Sequence, residues 1–175
     1  MYIFKTKPFK HQQDIFDGSW DRIYYALFME MGLGKSKVII DTIGKLKLEG
    51  EIDSALIIAP KGVYDNWVKQ EIPNHLPDEI ARFVVRWQPS KAKKFQDDMQ
   101  KVVFEMMAGV KFLIMNIEAF SSDRGKKAAY YFLRRNEDNI MIIDESTTIK
   151  NRKANRTKNV LQVSKYDKYK RILTG

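Results

Sequence analysis

Two short clusters in this sequence combine groups able to hold a phosphate chain and a divalent cation. The first is Gly32-Leu33-Gly34-Lys35-Ser36, reached through the apolar run to Phe28-Met29. Glycines leave room for backbone to approach phosphate oxygens, and their successive N–H groups can point into one concavity. If a helix opens at Lys35, its N-terminus adds partial positive charge at the same place. Lys35 can then reach the β- and γ-phosphates of ATP, and the Ser36 hydroxyl can ligate Mg2+. The second cluster is Asp144-Glu145, delivered by Ile140-Met141-Ile142-Ile143. Asp144 can hold the same metal opposite Ser36, directly or through water, and Glu145 can orient or deprotonate the water that attacks the γ-phosphate. Each cluster also has a plainer reading. The first could be a glycine-capped helix start, and Asp144 could be a helix N-cap ahead of Ser146-Thr147-Thr148. The strict phosphate-loop spacing places a glycine five residues before Gly34, where this chain has Met29.

Positioning such groups requires strands that end, and helices that begin, at the clusters. Short apolar runs suited to strands are Tyr24–Phe28, Ser54–Ala59, Ala81–Arg86, Lys111–Asn116, Ile140–Asp144 and Tyr169–Thr174. Several are continuous rather than alternating, as expected of strands buried on both faces. Between them the spacing predicts helices over Lys91–Ala108, with Phe95, Met99, Val102, Val103 and Met106 as its core stripe, and from Lys35 through Leu46 to a stop at Gly50. A third spans Tyr64–Ile72 and is expected to end at Pro73, leaving His75 in a loop. Two more cover Arg124–Arg135 and Ala154–Val163. The alternation predicts an α/β fold with a mainly parallel central sheet and helices on both faces. In open parallel sheets ligands bind at the C-terminal ends of the strands, where both clusters fall.

With 175 residues and no internal repeat or linker, the chain reads as one domain over 1–175. Its abrupt stop at Leu173-Thr174-Gly175, directly after a strand, is expected of a fragment. There is no cysteine, which excludes disulfides, thiolate catalysis and cysteine zinc sites. His11 and His75 have no metal-binding spacing; His11 is expected beside the nucleotide base and neither takes a catalytic role. No secretory signal is visible, and runs such as Ala55–Ala59 fall far short of the ~20 residues of a membrane helix. A soluble chain of the cytoplasm, nucleoid or nucleus is expected, neither secreted nor membrane-bound. The net charge of +9 is unevenly placed: residues 1–120 hold 17 basic and 16 acidic residues, whereas 121–175 hold 14 and 6. The excess sits in Arg124, Lys126, Lys127, Arg134, Arg135 and the stretch from Lys150 to Arg171. Such asymmetry suggests a polyanionic partner, with a solvated basic face as the alternative.

Taken together the motifs resemble the first RecA-like lobe of superfamily-two helicases, in the Swi/Snf-like branch of DNA-dependent ATPases. The resemblance runs from about Lys7 to Gly175 and keeps the family's motif order. Lys7-Pro8-Phe9-Lys10-His11-Gln12 resembles the Q motif, which implies that Gln12 reads the adenine edge. Met31–Ser36 is similar to motif I, and the family implies nucleotide contacts for Gly32, Leu33, Gly34, Lys35 and Ser36. Ile58-Ala59-Pro60 with Trp67 and Glu71 is similar to motif Ia, and Leu113–Glu118 to motif Ib. These imply DNA-backbone contacts near Pro60, Lys61 and Asn116. Asp144–Asn151 resembles motif II, with Thr147 where the family usually has histidine, and Leu173-Thr174-Gly175 resembles the start of motif III.

The resemblance implies a three-layer RecA-like sandwich and an ATP-dependent DNA translocase in which a second RecA-like lobe supplies the arginine fingers and half of the DNA track. The partners expected are duplex DNA, held by its phosphates with little sequence preference, and that second lobe. Lys150, Arg152, Lys153 and Arg156 are the basic residues expected on phosphates. The competing reading is a catalytically inactive lobe acting as a nucleic-acid- or protein-binding module. A small-molecule kinase would need an acceptor pocket and lid that the sequence does not show.

Overall fold

The computed structural model describes residues 2–175. Six strands, β1 (Tyr24–Phe28), β2 (Ser54–Ala59), β3 (Arg82–Arg86), β4 (Val110–Asn116), β5 (Asn139–Ile143) and β6 (Tyr169–Thr174), form one sheet in the order β1-β6-β5-β2-β4-β3. All five pairings are parallel. α1 (Lys10–Ser19) precedes β1; parallel neighbours need long crossovers, and these carry α2 (Lys35–Leu48), α3 (Tyr64–Asn66), α4 (Ile72–His75), α5 (Lys93–Phe104), α6 (Asp123–Arg135) and α7 (Asn155–Val163). The unbroken apolar runs belong to the centre: every residue of β2 and β5 is buried, whereas the edge strands β1 and β3 are partly exposed.

Alternation along the strands divides the interior into two cores. One joins Leu27, Ala55, Ile57, Phe112, Ile114, Ile140 and Ile142 to Phe16 of α1, to Val38, Ile39, Ile43 and Leu46 of α2, and to Trp67 and Ile72. The other joins Leu56, Ile58, Leu113, Met115, Met141 and Ile143 to Val102 and Val103 of α5, Phe132 and Leu133 of α6, and Val160 and Val163 of α7. This is the α/β architecture of a RecA-like lobe. The second face is incompletely covered at β1, where Tyr24 and Phe28 are exposed.

Four details depart from the sequence expectations. The helix expected over Lys91–Ala108 is shorter, so Met106 lies beyond its end and is fully exposed instead of joining the core stripe. Pro73 does not end its helix. Residues Trp67–Glu71 form a π turn between α3 and α4, and the chain stays helical to His75, so His75 is not in a loop. The π turn explains the tolerance: a widened turn shifts the hydrogen-bond register and relieves the crowding of a proline ring against the preceding carbonyl. α1 carries too few apolar residues to announce itself; Gln12, Phe16 and Ser19 are its buried positions. Finally, Arg171 is not part of a basic surface. It is fully buried in β6, where its guanidinium donates to the carbonyls of Ser19, Trp20, Ile23 and Lys170.

Candidate functional site

The chain leaves β1 at Phe28, turns through residues 29–34 and enters α2 at Lys35. Gly32 and Gly34 have φ of 84° and 80°, a left-handed conformation that side-chain-bearing residues rarely adopt. Around a Cβ built on Gly32 there is nothing within 4 Å, so this side of the turn is open, whereas one on Gly34 would collide with the Gln12 amide. Met29 is buried and has no positive φ, which accounts for a non-glycine at the start of the loop. Its N–H donates to Thr174 O at 3.2 Å, tying the loop to β6. The Lys35 ammonium lies inside the turn, donating to Met29 O at 2.7 Å and Glu30 O at 3.1 Å. An ammonium has three N–H donors, so these two acceptors leave capacity for another oxygen.

α1 packs its Gln12 against the same loop. The Gln12 Oε1 accepts from Phe9 N at 3.0 Å and its Nε2 donates to Leu33 O at 3.0 Å. One N–H and one lone pair of the amide remain for the donor–acceptor edge of a base. His11 Nε2 lies 3.2 Å from Leu33 O, against the same loop.

β6 lies between β1 and β5, so the Asp144-Glu145 pair emerges two strands from the loop, roughly 10 Å along the same sheet edge. Asp144 N donates to Ile58 O at 2.8 Å and extends the ladder by one residue. Burial pushes the Asp144 carboxyl above its ordinary value. Hydrogen bonds from Trp67 and from the Glu145 backbone N–H, with the positive charge of Lys35, pull it back, and the charge of Glu145 adds to the rise. The Trp67 Nε1–H donates to Asp144 Oδ2 at 2.9 Å. Glu145 has φ 52° and ψ 66°, the sole positive φ of a non-glycine among the described residues. Such strain concentrates at working sites. Its Oε1 accepts from Thr147 Oγ1 at 2.6 Å. Ser36 sits in the first turn of α2, directly after Lys35. A third carboxylate stands close by: burial raises the pKa of Glu71, Asn66 Nδ2 donates to its Oε1 at 2.8 Å, and the charge of Asp144 contributes to the rise.

Pro60 and Lys61 follow the end of β2, and Asn116 ends β4, on the same sheet edge. The Asn116 Oδ1 accepts from Ala119 N at 2.8 Å and caps the 3-10 turn Ile117–Ser121. Lys150, Arg152 and Lys153 are exposed beyond β5, and Arg156, in the first turn of α7, is half-buried.

Three features of this edge were not anticipated from sequence: the indole of Trp67 on Asp144, the hydroxyl of Thr147 on Glu145, and the approach of Gly175, where an added Cβ would lie 3.4 Å from Lys35 Nζ. The first joins residues 77 apart, and no local pattern encodes it. The second lies within a tripeptide, and the hydroxyl two residues past the glutamate was its one legible signal.

Among the described residues no group of three or more His, Cys, Asp or Glu side chains is arranged to hold a metal by itself. Magnesium seldom uses such a cage; it binds one or two protein oxygens and completes its octahedron with phosphates and water. One hydroxyl, one carboxylate and an open glycine turn are a donor set of that kind.

A model of the SNF2-related domain matches residues 25–175. The ATP-dependent helicase fft1 of Schizosaccharomyces pombe is 24% identical over 147 residues, which cover 83% of this chain and 14% of that protein. The SWI2/SNF2 ATPase core of Sulfolobus solfataricus, solved in complex with dsDNA, superposes with a TM-score of 0.68 at 24% identity, covering 99% of this chain and 33% of the other. The UvsW helicase of bacteriophage T4 superposes with a TM-score of 0.63 at 14% identity, covering 97% of this chain and 53% of that one. The chain thus spans only a small part of the curated relative and a third to a half of the solved proteins it resembles.

Proposed function

This chain belongs to the SNF2-related domain family, and from that premise we propose that it is the ATP-binding lobe of a DNA-dependent ATPase that moves along duplex DNA when joined to a second RecA-like lobe. The observation that carries the reading is the common sheet edge. The Gly32–Ser36 turn and the Asp144-Glu145 pair emerge two strands apart, near enough for the Lys35 charge to act on the Asp144 carboxyl.

In this reading Lys35 and the N–H groups of Gly32, Leu33 and Gly34 bind the phosphates of ATP. The remaining donor and acceptor of Gln12 take the adenine edge. Ser36 and Asp144 hold Mg2+, whose chemistry is to neutralise charge developing on the phosphate oxygens. Glu145, set by its left-handed backbone and the Thr147 hydroxyl, orients the attacking water. No arginine is assigned to the γ-phosphate within the lobe. An arginine finger contributes ~10³–10⁵ in rate in related phosphoryl-transfer sites, so turnover is assigned to the two-lobe assembly.

DNA is taken by its phosphates at Pro60, Lys61, Asn116, Lys150, Arg152, Lys153 and Arg156. The dsDNA bound by the Sulfolobus ATPase core supports that choice of partner. A protein of this activity works where duplex DNA is, in a cytoplasm or nucleus.

Titration of the chain with a fluorescent ATP analogue tests the proposal. Binding is expected to strengthen with Mg2+ and to fall at least tenfold, about 1.4 kcal/mol, in Lys35→Ala. Magnesium-independent binding that ignores Lys35→Ala would overturn the reading and leave a binding module.

A further inference from the structure

The hydrogen bond from Trp67 to Asp144 ties a core aromatic directly to the carboxylate at the end of β5. Trp67 is completely buried, and its one polar side-chain atom, Nε1, is spent on Asp144 Oδ2 at 2.9 Å. A fully buried tryptophan in a hydrophobic core can be understood as packing alone. Here the backbone around it is also unusual. Trp67 opens the π turn Trp67–Glu71, and the Ile72 N–H reaches back to the Trp67 carbonyl, five residues away instead of four. The same widened register pairs Asn66 with Glu71, again five apart, at 2.8 Å. π turns are rare and concentrate at functional sites. This one brings an indole donor and a carboxylate to the end of β5. Phenylalanine would fill the space comparably, yet it would take a donor from the part-buried Asp144 carboxylate.

Resting on the nucleotide site proposed above, we propose that Trp67 is a positioning residue for the metal: its indole N–H fixes Oδ2 of Asp144 and thereby the orientation in which that carboxylate would meet Mg2+. The geometry restricts what Asp144 can do. A carboxylate held by a rigid, buried indole donor, with the Glu145 backbone N–H as a second donor, cannot rotate freely and keeps a constant orientation. Groups that orient a metal ligand in this way typically contribute 10–100-fold to metal affinity. The arrangement also gives a short mechanical route. Pro60 and Lys61, assigned to DNA, sit just before α3, and the chain runs directly from there to the residue that holds Asp144.

The test separates this role from simple packing and from the nucleotide reading itself. In the 175-residue chain, Trp67→Phe is expected to raise the Mg2+ concentration for half-maximal binding of the fluorescent ATP analogue by roughly tenfold or more, while its binding in EDTA stays as in the parent. A role in packing alone would weaken both together or change neither. A parent-like Mg2+ titration in a variant that far-UV circular dichroism shows to be folded overturns the proposal. A second measurement does not depend on that variant folding. In the Trp20→Phe/Trp87→Phe protein, Trp67 is the remaining indole, and its emission is expected to shift when Mg2+ is added to the nucleotide-bound chain. Adding Asp144→Asn should abolish that shift. An emission blind to Mg2+ overturns the proposal. Lys35→Ala is the control on the underlying reading: if it leaves nucleotide binding intact, the nucleotide site fails and the role of Trp67 fails with it. If Lys35→Ala removes binding while Trp67→Phe titrates as the parent, only the role of Trp67 fails.

Discussion

At the scale of single residues, carboxylates in this fold behave according to what surrounds them. Asp144 and Glu71 are both raised by burial, but each has a donor, from Trp67 and Asn66. Asp167 has less relief, from Lys170 alone. Its side chain is almost wholly buried, its Oδ2 has no hydrogen-bond partner, and Lys170 Nζ stands 3.5 Å from Oδ1. Burial pushes its pKa up to about 6, with Lys170 only partly opposing the rise. A carboxyl with a folded pKa above its unfolded value binds its proton more tightly when folded. Its contribution to stability is therefore present below about pH 4 and is lost as pH rises through about 6. Asp167→Asn keeps the shape without the charge, so the variant is expected to be more stable than the parent at pH 7, by on the order of 1–3 kcal/mol. That advantage should vanish near pH 4. Urea unfolding at pH 4 and pH 7 checks this, and an equal difference at both pH values would refute it.

At the scale of elements, the site depends on α1 staying seated, because α1 carries Gln12 to the loop. Its C-terminal carbonyls at Ser19 and Trp20 accept from the buried Arg171 guanidinium at 3.0 and 3.1 Å, and further bonds to Ile23 and Lys170 complete the clamp. A cation at a helix C-terminus also meets the negative end of the helix dipole. Burial lowers the Arg171 pKa to about 10, which still leaves it charged at neutral pH. Arg171→Leu strips four carbonyls of a donor. At ~1 kcal/mol for each buried bond, the expected loss is about 2–4 kcal/mol, less than the sum because a desolvated charge is removed with it. The unfolding midpoint measures the total. Hydrogen exchange should show the protection lost first in α1, and uniform loss across the sheet would contradict the clamp.

At the scale of the whole molecule, the basic excess sorts into structural and free charge. Arg171 is a clamp, Lys168 bridges Glu51 and Asp138, and Arg124 donates to Ser90 O. Lys150, Arg152 and Lys153 remain exposed beyond the Asp-Glu pair. If these three neutralise DNA phosphates, their joint replacement by alanine should reduce the slope of log K against log salt by about 0.9 for each phosphate no longer neutralised. Anisotropy titrations of a labelled duplex at several salt concentrations would show it. An unchanged slope would place DNA elsewhere.

The strand boundaries were legible because continuous apolar runs bounded by charges, Pro and Gly have few alternatives to a buried parallel strand. The loop and the acidic pair were legible because each is a local string: Gly32 and Gly34 answer a backbone requirement, and Asp144-Glu145 ends such a run. The extent of α5, the survival of a helix through Pro73 and the fate of Arg171 were not legible, since each depends on which neighbours arrive from elsewhere in the chain. Strand order was decided only by the fold. Placing β6 between β1 and β5 sets the spacing of loop and carboxylates, and no pattern within a strand states which strand it will lie beside. Composition and local periodicity thus determine which groups a chain can offer. Which of them meet, as Trp67 meets Asp144 across 77 residues, is settled when distant segments compete to be buried on one sheet.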